Sequence, residues 1–286
     1  MGSDAVPAVP EVVPLQMPDG TVTPIRVFSG VAGRPVFVVW PGLGLPAVYY
    51  DKLAVELTVH GFNVVVSEIR GQGSSEPTPD RESNFGYHEL VAVDMPAAFE
   101  VAHERFPDSA PYVLGHSFGG QLAMLYAARV GHEIAGIVLI AAGSPYYKTF
   151  PGARALGPLV AGKAMSLTAS IAGYWPGDKV NIAGFGRQPR LLISDWSRFA
   201  RTGRLAPGGA DIDYEERLRE ITVPVLSISL SRDDVAPSSS VQHLVGKLEA
   251  ATVTNWRNPE RRNHLDWMKA PAAIADRIAS WLGEMY

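Results

Sequence analysis

A serine set among glycines, Gly115-His116-Ser117-Phe118-Gly119-Gly120, is the part of this 286-residue chain best suited to nucleophilic chemistry. The run Pro111–Leu114 before it reads as a buried strand, and Phe118–Val130 after it reads as an amphipathic helix. A strand-to-helix turn that sharp needs small flanking residues, and it projects the Ser117 hydroxyl clear of the backbone at a helix N-terminus. A hydroxyl remains a weak nucleophile until a base takes its proton and a carboxylate orients that base.

Candidates for both partners lie downstream. Of the seven histidines, His60, His88, His103, His132 and His243 fall within or at the ends of helical patterns and are expected to be solvated. His116, inside the turn, is expected to pack or hydrogen-bond rather than act as base. His264 stands in the loop after the last strand pattern and ahead of the last helix, which makes it the expected base. No Asp or Glu occurs from Ala142 through Gly177, so the loop after Ile137–Ala141 cannot supply the acid. The loop Ser231–Pro237 offers two, Asp233 and Asp234, whose side chains must point in different directions.

The surrounding elements have the pattern needed to hold such a group. Asp19-Gly20 marks a hairpin between the alternating stretches Val12–Met17 and Thr21–Phe28. Buried-strand patterns follow at Val36–Trp40, Phe62–Ser67, Pro111–Leu114, Ile137–Ala141, Val223–Leu230 and Thr252–Trp256. Helical patterns alternate with them: Val48–Leu57 ending at Gly61, Gly86–Arg105, Phe118–Val130, Ser238–Leu248 and Ala272–Trp281. Pro96 implies a kink or a helix start within the second of these. Strands alternating with helices predict an α/β fold with a mostly parallel central sheet covered on both faces. From Ser144 to about Ala210 the rhythm stops, in Gly/Pro-rich, aromatic, partly helical text with no convincing strand. The expected organisation is a flexible leader (1–11), a core (12–143 and 216–286) and an inserted cap (144–215) over the carboxyl ends of the strands.

Composition removes several classes. With no cysteine, disulfide scaffolds, thiolate metal sites and a Cys nucleophile are excluded. No histidine pair has metal-ligand spacing, and Gly71-Gln72-Gly73 and Gly42-Leu43-Gly44 lack the further glycine of a dinucleotide loop. No metal and no cofactor are implied. The net charge of −4 gives no basic excess for nucleic acid. The longest apolar run, Ile134–Ala142, falls short of the roughly 20 residues of a membrane span. No basic-then-apolar segment opens the chain, so no integral membrane contact and a cytoplasmic location are expected.

Four segments resemble the alpha/beta-hydrolase superfamily: Val38-Val39-Trp40-Pro41-Gly42-Leu43-Gly44, Glu68-Ile69-Arg70-Gly71-Gln72-Gly73-Ser74-Ser75, Gly115–Gly120, and the loops bearing Asp233 and His264. The resemblance covers nearly the whole chain after the leader and implies that superfamily's fold with an inserted cap. It implies Ser117 as nucleophile, His264 as base and Asp233 as acid, Asp233 standing four residues before Pro237 as is common there, with Asp234 as the alternative. It implies an oxyanion hole from the backbone N–H groups of Leu43 and Phe118. Pro41 departs from the usual His of that loop, which leaves the subfamily unassigned.

The segment Ser144–Ala210 holds nine basic residues against two acidic ones, Asp178 and Asp195, a net of +7 that leaves −11 on the rest of the chain. Such a cap either attracts an anionic substrate or surface or docks on an acidic core. Its aromatic residues include Tyr146, Trp175 and Trp196, candidates to line an apolar substrate pocket. The expected activity is a carboxylic ester hydrolase acting on a small or medium apolar ester. The alternatives are an acyltransferase or thioesterase on the same triad, or a non-catalytic ligand-binding protein. Oligomeric state is open.

Overall fold

The computed structural model describes residues 9–180 and 184–285. Strands β1 (Glu11–Gln16) and β2 (Val22–Phe28) form the hairpin that Asp19-Gly20 predicts, paired antiparallel. Most of the expected leader lies outside the described residues, and its last position, Glu11, already belongs to β1. Six more strands complete the sheet: β3 (Val36–Trp40), β4 (Asn63–Ser67), β5 (Pro111–His116), β6 (Gly136–Ile140), β9 (Val225–Leu230) and β10 (Val253–Asn258). Their order is β1-β2-β4-β3-β5-β6-β9-β10, parallel throughout from β4 to β10.

Successive residues of the central strands feed opposite cores, as strand alternation requires. In β3, Val36, Val38 and Trp40 enter one cluster while Phe37 and Val39 enter the other. Helix α1 (Asp51–Val59) and the C-terminal α9 (Ala272–Gly283) cover the second face through Leu53, Leu57, Ile278 and Trp281. The first face is covered by α3 (Met95–Arg105), α4 (Phe118–Val130) and α8 (Ser238–Val245). Before α3, the short α2 (Tyr87–Glu89) runs through a π-helical turn at Leu90–Asp94. Pro96 has no N–H to donate and its ring crowds the carbonyl four residues back, so the wider turn falls where the sequence places a kink.

The cap segment follows β6. It contains α5 (Leu156–Ala172), a small antiparallel pair, β7 (Tyr174–Pro176) and β8 (Arg187–Pro189), and α6 (Arg190–Thr202). The two strands correct the expectation of a strandless insertion; at three residues each they are too short to show periodicity. The expected boundary at 215/216 falls inside α7 (Tyr214–Arg219), whose Tyr214 and Leu218 are buried in the first core cluster. Asp213 caps α7 by accepting from the Glu215 and Glu216 N–H groups. The cap meets the core at loops that follow strands. A side chain at Gly44 would strike the Phe185 backbone, Gln72 bonds Gln188, and Arg154 pairs with Asp234.

Candidate active site

The turn from β5 into α4 has the geometry its sequence requires. Ser117 has φ 54° and ψ −116°, a left-handed conformation that costs a non-glycine residue about 1–3 kcal/mol. A methyl group at Gly115 would stand 2.3 Å from the Gly119 carbonyl oxygen, and one at Gly119 would stand 2.1 Å from that of Trp40. Both positions must therefore be glycine for strand, helix and the end of β3 to meet.

Three of the predicted side chains come together here. His264 Nε2 lies 2.8 Å from Ser117 Oγ, and His264 Nδ1 lies 2.7 Å from Asp233 Oδ2. The other Asp233 oxygen accepts from the N–H groups of Val235 (2.9 Å) and Ala236 (2.8 Å), so the carboxylate is held at both ends. Its side chain is fully buried, whereas that of Asp234 is 78% exposed and pairs with Arg154 at 2.6 Å. Of the two adjacent acids, only Asp233 reaches the imidazole.

The loop Gly42–Leu45 has one amide without an acceptor among the described residues. Gly42 N–H donates to Tyr50 Oη, Gly44 N–H to Gln72 Oε1, and Leu45 N–H to the Gly42 carbonyl. Leu43 N–H has no acceptor among the described residues, and neither has Phe118 N–H at the start of α4, where a helix leaves its first amides unpaired. The loop lies against the elbow, since a side chain at Gly42 would come within 3.2 Å of His116 Nδ1.

His116 packs and hydrogen-bonds, as its place in the turn predicts, and its partners are informative. Tyr50 Oη accepts from Gly42 and so donates its own hydrogen to His116 Nδ1, 2.6 Å away. With its hydrogen on Nε2 the ring donates to the His264 backbone carbonyl at 3.1 Å, while Trp267 Nε1 lies 3.3 Å from the same nitrogen. Full burial, with the His264 ring nearby, holds the His116 pKa well below the usual histidine range and keeps the ring neutral. One chain of bonds thus runs from the oxyanion loop through Tyr50 and His116 to the backbone of His264. The sequence reading missed Tyr50 and Trp267, whose rings pack on His116; nothing in their spacing marks them.

The three aromatic residues predicted for substrate contact the frame of the cap. Tyr146 stacks on His243 and covers Gly203, Trp175 is buried with its indole nitrogen beside Gly177, and Trp196 packs over Gly162 of α5. His243 is therefore part of a packed contact rather than solvated, and burial lowers its pKa. Phe185, another aromatic residue of the cap, lies on Gly44 and lines an open cleft of about 440 Å³ with Gln72, Gly186 and Arg187. Among the described residues no cluster of His, Asp and Glu could hold a metal ion.

The family model described as alpha/beta hydrolase fold matches residues 35–165. A probable lysophospholipase L2 of Haemophilus influenzae is 27% identical over 116 residues, 41% of this chain and 36% of that protein. The match therefore spans only about a third of that relative's length. Human monoglyceride lipase is 24% identical over 250 residues, covering 85% of this chain and 80% of the lipase. Among solved structures, an esterase of Pyrococcus furiosus superposes with a TM-score of 0.64 at 16% identity, covering 99% of this chain and 96% of its own. Sheet order, the strand-to-helix turn at Ser117 and these likenesses agree on the alpha/beta-hydrolase fold for this chain.

Proposed function

We propose that this protein is a serine hydrolase that cleaves a carboxylic ester of a small or medium apolar molecule through an acyl-enzyme. The observation that carries the reading is the unbroken hydrogen-bond line from Asp233 through His264 to Ser117, beside two amides with no acceptor. Ser117 Oγ attacks the ester carbonyl carbon while its proton passes to His264 Nε2. Asp233 accepts the Nδ1 hydrogen and stabilises the imidazolium that forms. The Leu43 and Phe118 N–H groups meet the developing oxyanion. Collapse of the tetrahedral intermediate expels the alcohol, which takes the proton from His264. Water then attacks the acyl-enzyme with His264 again as base, releasing the acid and restoring the serine.

The cleft lined by Gly44, Gln72 and Phe185 adjoins the oxyanion loop and gives the substrate an approach with one apolar wall. The names of the relatives, a lysophospholipase, a monoglyceride lipase and an esterase, support an ester as the substrate class. A pure ligand-binding role has no use for a buried acid bonded to a histidine that is bonded to a serine. Initial rates on p-nitrophenyl esters of increasing acyl length test the reading. Ser117→Ala and His264→Ala should each lose at least about 10³-fold in kcat with the fold intact. Near-wild-type turnover by either variant would sink it.

A further inference from the structure

The longest helix of the cap carries an apolar face that the other described residues leave uncovered. Residues Gly152–Ala172 form a helical stretch long and apolar enough, by length and composition, to cross a membrane. It holds no long uninterrupted apolar run, because Gly, Pro, Ser, Thr, Arg and Lys are interspersed. Here the stretch lies along the protein, with Gly162, Met165 and Ala169 of α5 buried and Gly162 against Trp196 and Ser197 of α6. The opposite face is bare: Leu156, Val160, Leu167 and Ile171 are 59%, 60%, 64% and 79% exposed. At 100° per residue these four fall within an arc of about 60°, a ridge about 22 Å long. Four large aliphatic side chains in one stripe exceed the scattered exposure normal for a surface.

The stretch of sequence that carries this ridge has charge of one sign. No acid occurs from Ile134 through Gly177, while Lys148, Arg154 and Lys163 are exposed. Arg154 is paired with Asp234, and Lys148 lies over the Tyr147 ring. Lys163 borders the apolar arc, about 20° beyond its Leu156 edge, and has no acidic partner among the described residues. We propose that this ridge seats the protein on the surface of an anionic phospholipid bilayer, with α5 lying in the membrane plane.

The aliphatic stripe would enter the boundary between headgroups and acyl chains, and the Lys163 stem would follow while its ammonium stays among the headgroups. Anionic headgroups would answer the cations. A second copy of this chain fits less well, because a twofold contact through α5 would bring Lys163 toward its own equivalent with no acid to offset it. The proposal rests on the cap surface and stands apart from the catalytic reading.

Co-sedimentation of the full chain with vesicles tests it, using phosphatidylcholine alone and an equimolar mixture with phosphatidylserine. The protein should pellet with the mixed vesicles, several-fold less with the neutral ones, and less again as salt is raised. The exposed pair Leu167→Asp and Ile171→Asp together should weaken binding at least about tenfold, with circular dichroism and turnover of a soluble ester unchanged. Lys148→Glu with Lys163→Glu should weaken binding to mixed vesicles alone. Wild type left in the supernatant with both vesicles, equal binding to both, or an aspartate variant that binds like wild type would overturn the proposal. So would a wild-type dimer that the aspartates dissociate without any vesicle binding, which would assign the face to a second copy.

Discussion

The central sheet and the cap draw on similar apolar residues and use them differently. Every residue of β3, β4 and β6 is buried, and each strand supplies both cores by alternation. In the cap, α5 buries three residues of seventeen and shows four large aliphatic ones to the surroundings. The sheet is a frame that fixes where its loops begin, and Ser117, Asp233 and His264 all stand on loops that follow its strands. The cap is tied to that frame by apolar residues that join the first core cluster, among them Leu192, Ile193 and Phe199, and by polar links such as Gln72 to Gln188, Asp195 to the Tyr87 N–H, and Arg154 to Asp234. Chemistry therefore belongs to the frame, and the character of the surface belongs to the cap.

Substitutions on either side should separate the two, and the largest difference is expected between neighbouring acids. Asp233→Asn should cost about 10³–10⁴-fold in kcat, because the amide cannot hold the imidazole tautomer as the carboxylate does. Asp234→Asn loses only an exposed ion pair to the cap and should change kcat less than about threefold. Steady-state kinetics on one ester compares them directly. Next in size, Ile137→Ala on β6, where the side chain is fully buried, should cost about 2–5 kcal/mol of stability in urea unfolding.

Tyr50→Phe follows, at about 1–3 kcal/mol, because it leaves the Gly42 N–H and His116 Nδ1 unpaired in the interior. Its kcat should fall with KM nearly unchanged, since the same hydroxyl links the oxyanion loop to the backbone of His264.

His116 sets a smaller, pH-dependent effect. Its folded pKa is depressed, so its contribution to stability is present above the unfolded value near 6.5 and is lost as pH falls below it. The slope is at most about 1.4 kcal/mol per pH unit. Buried Asp94 and Asp195 run the other way. Burial raises each to about 6, so each favours the folded state increasingly as pH falls through 6 toward the ordinary carboxylate range. The stability difference between wild type and His116→Asn, followed from pH 7.5 downward, isolates the histidine; it should shrink below about pH 6.5. Smallest of all, Ile171→Ala in the exposed stripe should shift stability by less than about 0.5 kcal/mol, against the large loss at Ile137.

The same contrast explains what could be read from the residues alone. Val36–Trp40 announces a buried strand by its unbroken β-branched and aromatic run; Phe118–Val130, expected to be amphipathic, is instead buried continuously from Phe118 to Ala128 because the sheet and neighbouring helices enclose it. Ser117 and His264 stand out because the proposed chemistry needs a serine beside glycines and a histidine in a loop that follows a strand. Choosing between Asp233 and Asp234 takes the third dimension, since adjacent residues differ only in which loop amides they face. Tyr50 meets His116 across 66 residues of sequence, and no local pattern records such a contact. The cap's two short strands and the packing of Tyr146, Trp175 and Trp196 escape for a related reason. Their neighbours are set by how the cap folds on itself, where period carries little information.

Intact-protein mass after treatment with a fluorophosphonate tests the activated serine most directly, with wild type beside Ser117→Ala and His264→Ala. One adduct per chain on wild type, none on Ser117→Ala and little on His264→Ala is the expected result. A folded wild type that takes up no adduct, or a Ser117→Ala variant that is labelled as fully as wild type, would contradict it.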